Sequence, residues 1–105
     1  MAAKKAAYNI FAELGLDDAD DLLVKSELTL RIDKLIRGRK LTQAQAGKVL
    51  GITQSNVSRL VNGHLGDFST ERLIRFIRLL GRDVEIRIFS KPRRRTPGRL
   101  TVKAA

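Results

Sequence analysis

The chain has 105 residues, of which 43% are hydrophobic, so it is long enough for one small domain with a modest core. It contains no cysteine and one histidine, His64, which excludes disulfides, thiolate chemistry and a Cys- or His-rich metal site. No apolar run approaches the roughly 20 residues of a membrane span. We therefore expect a cytoplasmic protein without a membrane segment, a metal or a cofactor.

Charge is unevenly distributed along the chain. Residues 1–38 contain six basic and seven acidic side chains, whereas residues 39–105 contain fifteen basic and four acidic ones. A balanced first part followed by a strongly basic second part indicates a polyanionic partner for the second part. Composition alone leaves DNA, RNA and an anionic membrane surface as alternatives.

The first predicted element is a long helix. The segment "LDDADDLL" places four aspartates ahead of an apolar stretch, and acidic residues favour a helix N-terminus through the helix dipole and capping. Leu28, Ile32, Leu35 and Ile36 then follow at helical spacing. This pattern predicts a helix over about residues 19–37 that ends near Gly38.

Three shorter helices are predicted next. Thr42 and Gln45 have the spacing of a capping box, which predicts a helix over about residues 43–50 that stops at Gly51. Thr53 can cap a second helix, over about residues 54–62. "HLGDF" is predicted to be a loop, and Ser69 to cap a last helix that ends at Gly81.

The C-terminal part changes its periodicity. Val84, Ile86 and Ile88 alternate with other residues, which predicts a strand. A lone strand has unpaired edges, so it would pair either with Leu100–Lys103 as a hairpin or with its copy in a second subunit. "SKPRRRTPGR" reads as a basic loop. We divide the chain into an N-terminal arm (1–18), a helical domain (19–82) and a β element with a basic tail (83–105).

The two helices around Gly51 predict a helix-turn-helix. Rotation by 100° per residue places Val57 and Leu60 on the inner side of the second helix, opposite its polar residues. The stretch Leu41–Gly66 contains no Asp or Glu over 26 residues, as expected for a surface that faces phosphates. Side chains predicted to read bases are Gln54, Ser55 and Arg59. Side chains predicted to contact the DNA backbone are Thr42, Gln43, Thr53, Ser58, Asn62, Arg93, Arg94 and Arg95.

The stretch "LTQAQAGKVLGITQSNVSRLVNGH" resembles the helix-turn-helix of the phage-repressor-like (XRE) family. The resemblance implies a mainly α, lambda-repressor-like fold of four to five helices around that motif. Gly47 is a departure, because the family usually has Ala there. It is small enough for close helix packing but costs about 1 kcal/mol in helix propensity.

The flanks "AELGLDDADDLLVKSELTLRIDKLI" and "FSTERLIRFIRLLGRDVEIRI" are similar to those of HigA-type antitoxins. This similarity implies a repressor of its own operon that neutralises a RelE-like RNase toxin. The acidic and apolar N-terminal segment would suit a basic protein partner such as a toxin, or could simply begin a helix and anchor the core.

Three other functions are alternatives for such a sequence. A stand-alone XRE regulator would differ only in lacking a toxin gene beside it. An enzyme such as a nuclease lacks support, because there is no His pair, no Cys, and few carboxylates beside the basic surface. A non-specific RNA binder would show exposed aromatic residues for stacking, whereas only five Phe and Tyr residues occur. We therefore expect a non-enzymatic, homodimeric repressor that binds double-stranded operator DNA.

Overall fold

The computed structural model describes Gly15, residues 18–90 and residues 98–104. In this part of the chain there are four α-helices: α1 (Ala19–Gly38), α2 (Gln43–Leu50), α3 (Gln54–Val61) and α4 (Thr70–Leu79). A short 3-10 turn, Leu65–Asp67, lies between α3 and α4. The expected mainly α fold is confirmed, and the predicted limits of α1, α2 and α3 are correct to within about one residue.

Local capping explains why α2, α3 and α4 begin where they do, whereas Asp18 makes no side-chain cap hydrogen bond at the start of α1. The Thr42 hydroxyl accepts a hydrogen bond from the amide of Gln45, whose side-chain oxygen accepts one from the Thr42 amide, so the predicted capping box is present. Thr53 and Ser69 cap α3 and α4 in the same way through their hydroxyls. Each cap satisfies an amide that the helix itself leaves unpaired.

The core lies between α1 and α4, with α3 packed against α1, α2 packed against α4, and α2 and α3 packed against each other. From α1 it takes side chains four residues apart, which form one stripe along the helix. Phe68 and Phe76 meet edge to face, with ring centroids 6.0 Å apart. The buried apolar side chains are Val24, Leu28, Ile32, Ile36, Ala46, Leu50, Val57, Leu60, Phe68, Leu73, Phe76, Ile77 and Leu80.

The prediction of a C-terminal hairpin within one chain is wrong. Neither residues 82–90 nor residues 98–104 form a strand. The second segment instead lies along α1, where the Leu100 amide donates to a carboxylate oxygen of Asp20 at 3.3 Å and Val102 packs against the core. Contact with α1 buries part of Val102 and satisfies a backbone donor, so this segment is not available to pair with residues 83–90.

No helix in the described part of the chain combines the length and apolar content that crossing a membrane requires.

Candidate nucleic-acid interface

The turn between α2 and α3 is unusually tight. Gly51 has a φ of 75°, in the left-handed region that glycine tolerates best. The carbonyl oxygen of Gly47 accepts hydrogen bonds from the amides of Gly51 at 2.7 Å and Ile52 at 3.0 Å. The backbone therefore folds directly back over Gly47, which is buried. Two short helices joined in this way form a helix-turn-helix.

The three predicted base-reading residues lie on the exposed part of α3. Gln54, Ser55 and Arg59 are all exposed, whereas Val57 and Leu60 on the same helix are buried. The inner residues attach α3 to the core, so the polar side chains are presented to solvent on a helix whose orientation is held by packing. Amide, hydroxyl and guanidinium groups on such a helix can hydrogen-bond base edges in a major groove.

Two of the predicted backbone-contacting residues also cap helices. The hydroxyl oxygens of Thr42 and Thr53 accept hydrogen bonds from the amides of Gln45 and Asn56, each at 3.1 Å. A hydroxyl that accepts a bond still has its own O–H to donate. Both threonines are exposed at helix N-termini, where the dipole favours an anion. Each threonine can therefore cap its helix and donate to a phosphate oxygen at the same time.

The remaining predicted backbone contacts are placed differently from one another. The Asn62 side-chain amide donates to the Ser58 hydroxyl at 3.3 Å, so these two side chains form one polar pair at the end of α3. Gln43 is the first residue of α2 and is half-buried. Arg93, Arg94 and Arg95 lie outside the described residues.

Sequence reasoning missed Asp67. The Nε of Arg59 donates to Oδ2 of Asp67 at 2.8 Å, and both side chains are partly exposed. The two residues are eight positions apart and separated by a loop, so no helical periodicity links them. The signal available in the sequence was that Asp67 is the first acidic residue after Asp33.

The arginines of the last helix are not equivalent. The guanidinium carbon of Arg72 lies 5.1 Å from the centroid of Phe68 and 5.4 Å from that of Phe76, which is cation–π geometry. Arg75 and Arg78 are exposed and line a shallow depression with Leu79. Arg72 therefore helps to cover the core, whereas Arg75 and Arg78 contribute positive charge to the surface.

The described residues contain no candidate metal-binding site. In residues 18–90 and 98–104, no three histidine or carboxylate side chains are grouped so that they could hold an ion. The arrangement around α3 is suited to hydrogen bonding and charge, which are the interactions of a binding surface.

Comparison with known proteins agrees with this geometry. Residues 10–89 match the family model described as a helix-turn-helix domain. The chain is also similar to the solved structure of a protein described as an XRE family transcriptional regulator, with 42% sequence identity and a TM-score of 0.77. That similarity covers 84% of this chain and 99% of the other. No curated protein matches the chain.

Proposed function

Because this chain belongs to the helix-turn-helix family of XRE-type transcriptional regulators, we propose that it represses transcription by binding a specific operator through α3. The observation that carries this proposal is the polar, carboxylate-free outer face of α3 on a helix fixed by Val57 and Leu60. No residue of α3 itself carries a negative charge that would repel phosphates. The proposed activity is binding alone, with no catalysis and no cofactor.

Within this proposal, the exposed residues of α3 have different tasks. Gln54, Ser55 and Arg59 read base edges, because their donors and acceptors match those of adenine and guanine in the major groove. Thr42 and Thr53 donate to phosphates from the helix N-termini and so set the position of α3 on the duplex. The backbone contacts are completed by Gln43, Ser58, Asn62 and Arg93–Arg95.

A homodimer is the second part of the proposal. Val84, Ile86, Ile88 and Phe89 are 38%, 76%, 94% and 72% exposed, although they are large and apolar. Burying one aliphatic side chain of this size is worth about 1.5–3 kcal/mol. Pairing of residues 83–90 with the same segment of a second chain would satisfy their backbone edge. It would also bring Val84, Ile86 and Ile88, which share one face of an extended chain, beside the same residues of the partner. A dimer would also suit a palindromic operator, whose two half-sites lie about 34 Å apart.

Substitution of Arg59 tests the DNA proposal. A duplex is first selected with the wild-type protein from a randomised library, and its affinity is then compared with that of scrambled DNA. Arg59→Ala should cost about 1–3 kcal/mol on the selected duplex and much less on scrambled DNA. Arg37→Ala is the control, because Arg37 also makes a surface ion pair with a carboxylate, Asp33, but on α1.

Three results decide the DNA proposal. Loss confined to the selected duplex supports base reading by Arg59. An equal loss on both DNAs would make Arg59 a phosphate contact and would contradict the assigned orientation of α3. A wild-type protein that enriches no sequence would contradict operator recognition as a whole.

Light scattering at micromolar concentration tests the homodimer. Ile86→Pro removes an amide that a strand pair would use and should give a monomer. Leu30→Glu changes another exposed apolar residue, which is 59% exposed and lies on α1, and it should leave the molar mass unchanged. A monomeric wild-type protein would remove both the dimer and the half-site argument.

We also propose that the chain is an antitoxin that represses its own operon and neutralises a RelE-like RNase. Support comes from the resemblance of the two flanks to HigA-type antitoxins and from the acidic and apolar segment of residues 8–21, which suits a basic partner. The adjacent gene is the test. If it encodes a small RNase, co-expression with this chain should restore growth. If no such gene is present, the stand-alone regulator is the correct alternative.

A further inference from the structure

The Asp67 carboxylate is held in a fixed position beside α3. Its own amide donates to the carbonyl of His64 at 3.1 Å, and the His64 amide donates to the carbonyl of Arg59 at 3.1 Å. The turn is also bonded to α1, because Nζ of Lys25 donates to the carbonyl of Leu65 at 3.3 Å. Phe68, the next residue, is buried. Asp67 therefore lies between anchored neighbours rather than on a free loop.

The ion pair leaves the outer end of the Arg59 guanidinium available. Asp67 accepts from Nε, so the N–H groups on the two terminal nitrogens remain as donors. Those two nitrogens can donate side by side to O6 and N7 of a guanine. An arginine that is already ordered loses less conformational freedom when it binds. Exposed ion pairs of this kind contribute little to folding stability, so stability does not account for the contact.

The charge of Asp67 is a second argument for a role in sequence specificity. It is the single acidic residue between Asp33 and Glu71, and it lies next to the proposed base-reading surface. A carboxylate there repels phosphates and partly neutralises Arg59, so it weakens attraction to any DNA. Attraction to a correctly placed guanine is weakened less, because that contact depends on hydrogen-bond geometry.

We infer that Asp67 is a positioning residue that sets sequence specificity by holding Arg59 ready for a guanine. The inference rests on the proposed function, since it requires Arg59 to read a base. Its expected signature is a change in the ratio of affinity for operator to affinity for random DNA. A residue with a purely structural role would instead lower both affinities together.

The experiment compares full-length wild type, Asp67→Ala and Asp67→Asn on the selected duplex, on scrambled DNA and on duplexes with each base pair changed in turn. Asp67→Ala should lower the affinity ratio by about two- to tenfold, the range expected from releasing one ordered side chain. The loss of preference should be concentrated at the guanine that Arg59→Ala also affects. Asp67→Asn keeps an oxygen acceptor and should lose less. Asp33→Ala, which breaks the matched pair on α1, should leave the ratio unchanged.

An unchanged or higher ratio in Asp67→Ala would overturn the inference, and a higher ratio would show that Asp67 competes with DNA for Arg59. If that variant does not fold in a thermal melt, the same criterion applies to Asp67→Asn. Failure of the inference is distinct from failure of the proposed function. In the first case Arg59→Ala still loses specificity, whereas in the second the wild-type protein selects no sequence.

Discussion

Replacing Gly47 with alanine sets helix propensity against packing. Alanine is favoured over glycine inside a helix by about 1 kcal/mol. However, a Cβ at Gly47 would lie 2.6 Å from the carbonyl oxygen of Ile52, and 3.6 Å from the Gln54 amide nitrogen. Both partners are backbone atoms, so rotation of a side chain cannot relieve the contact. The turn itself must shift, and α3 must move with it.

The packing effect should prevail. Forcing an extra methyl group into a close-packed site costs about 1–3 kcal/mol, and a backbone partner favours the upper end of that range. After the gain in helix propensity is subtracted, Gly47→Ala should destabilise the protein by about 2 kcal/mol. This corresponds to a fall in melting temperature of about 8–16 °C for a domain of this size. Affinity for the selected duplex should fall as well, because the turn determines the position of α3.

Urea unfolding of the wild type and two variants measures these effects. Gly38→Ala is the control, since Gly38 lies at the end of α1 and an added Cβ meets nothing within 4 Å. It should be neutral or more stable by up to about 1 kcal/mol. A Gly47→Ala variant as stable as the wild type, with unchanged DNA affinity, would refute the reasoning. It would show that the turn adjusts at little cost and that helix propensity decides the outcome.

Two further predictions concern pH and salt. Burial raises the pKa of the Glu27 carboxyl, while the Arg31 charge and a hydrogen bond from the Val102 backbone oppose this effect. A raised pKa in the folded state means that the stabilising contribution of this carboxyl is present at acid pH and is lost as pH rises through that pKa. Glu27→Gln stays uncharged, so in thermal melts it should gain stability relative to wild type as pH rises above about 4.3, the ordinary pKa of a glutamate. A difference that is constant with pH would contradict this assignment. Changing residues 93–95 to alanine should lower the slope of log K against log salt by up to about 3 per subunit, equally on selected and scrambled DNA. An unchanged slope would show that this basic segment does not contact the duplex.

Local chemistry was enough to predict the helices and the exposed face of α3. The limits of α2 depend on Thr42, Gln45 and Gly51, all of which act within one turn of the helix end. The outward direction of Arg59 and the inward direction of Val57 follow from the helical period alone. These features need no knowledge of the rest of the chain, and they locate most of the candidate interface.

Tertiary structure decided the features that join distant segments. The alternating residues 84–88 predicted a strand, but a strand needs a partner, and the packing of Val102 on α1 removes the partner expected within the chain. Asp67 reaches Arg59 only because the intervening turn is anchored by Phe68 and Lys25. At Gly47, helix propensity predicted only that glycine has a small cost. The reason for glycine is the carbonyl of Ile52, which the fold places against the position that a Cβ would occupy. Periodicity and capping describe a segment by its neighbours in sequence, and these three contacts are made across the fold.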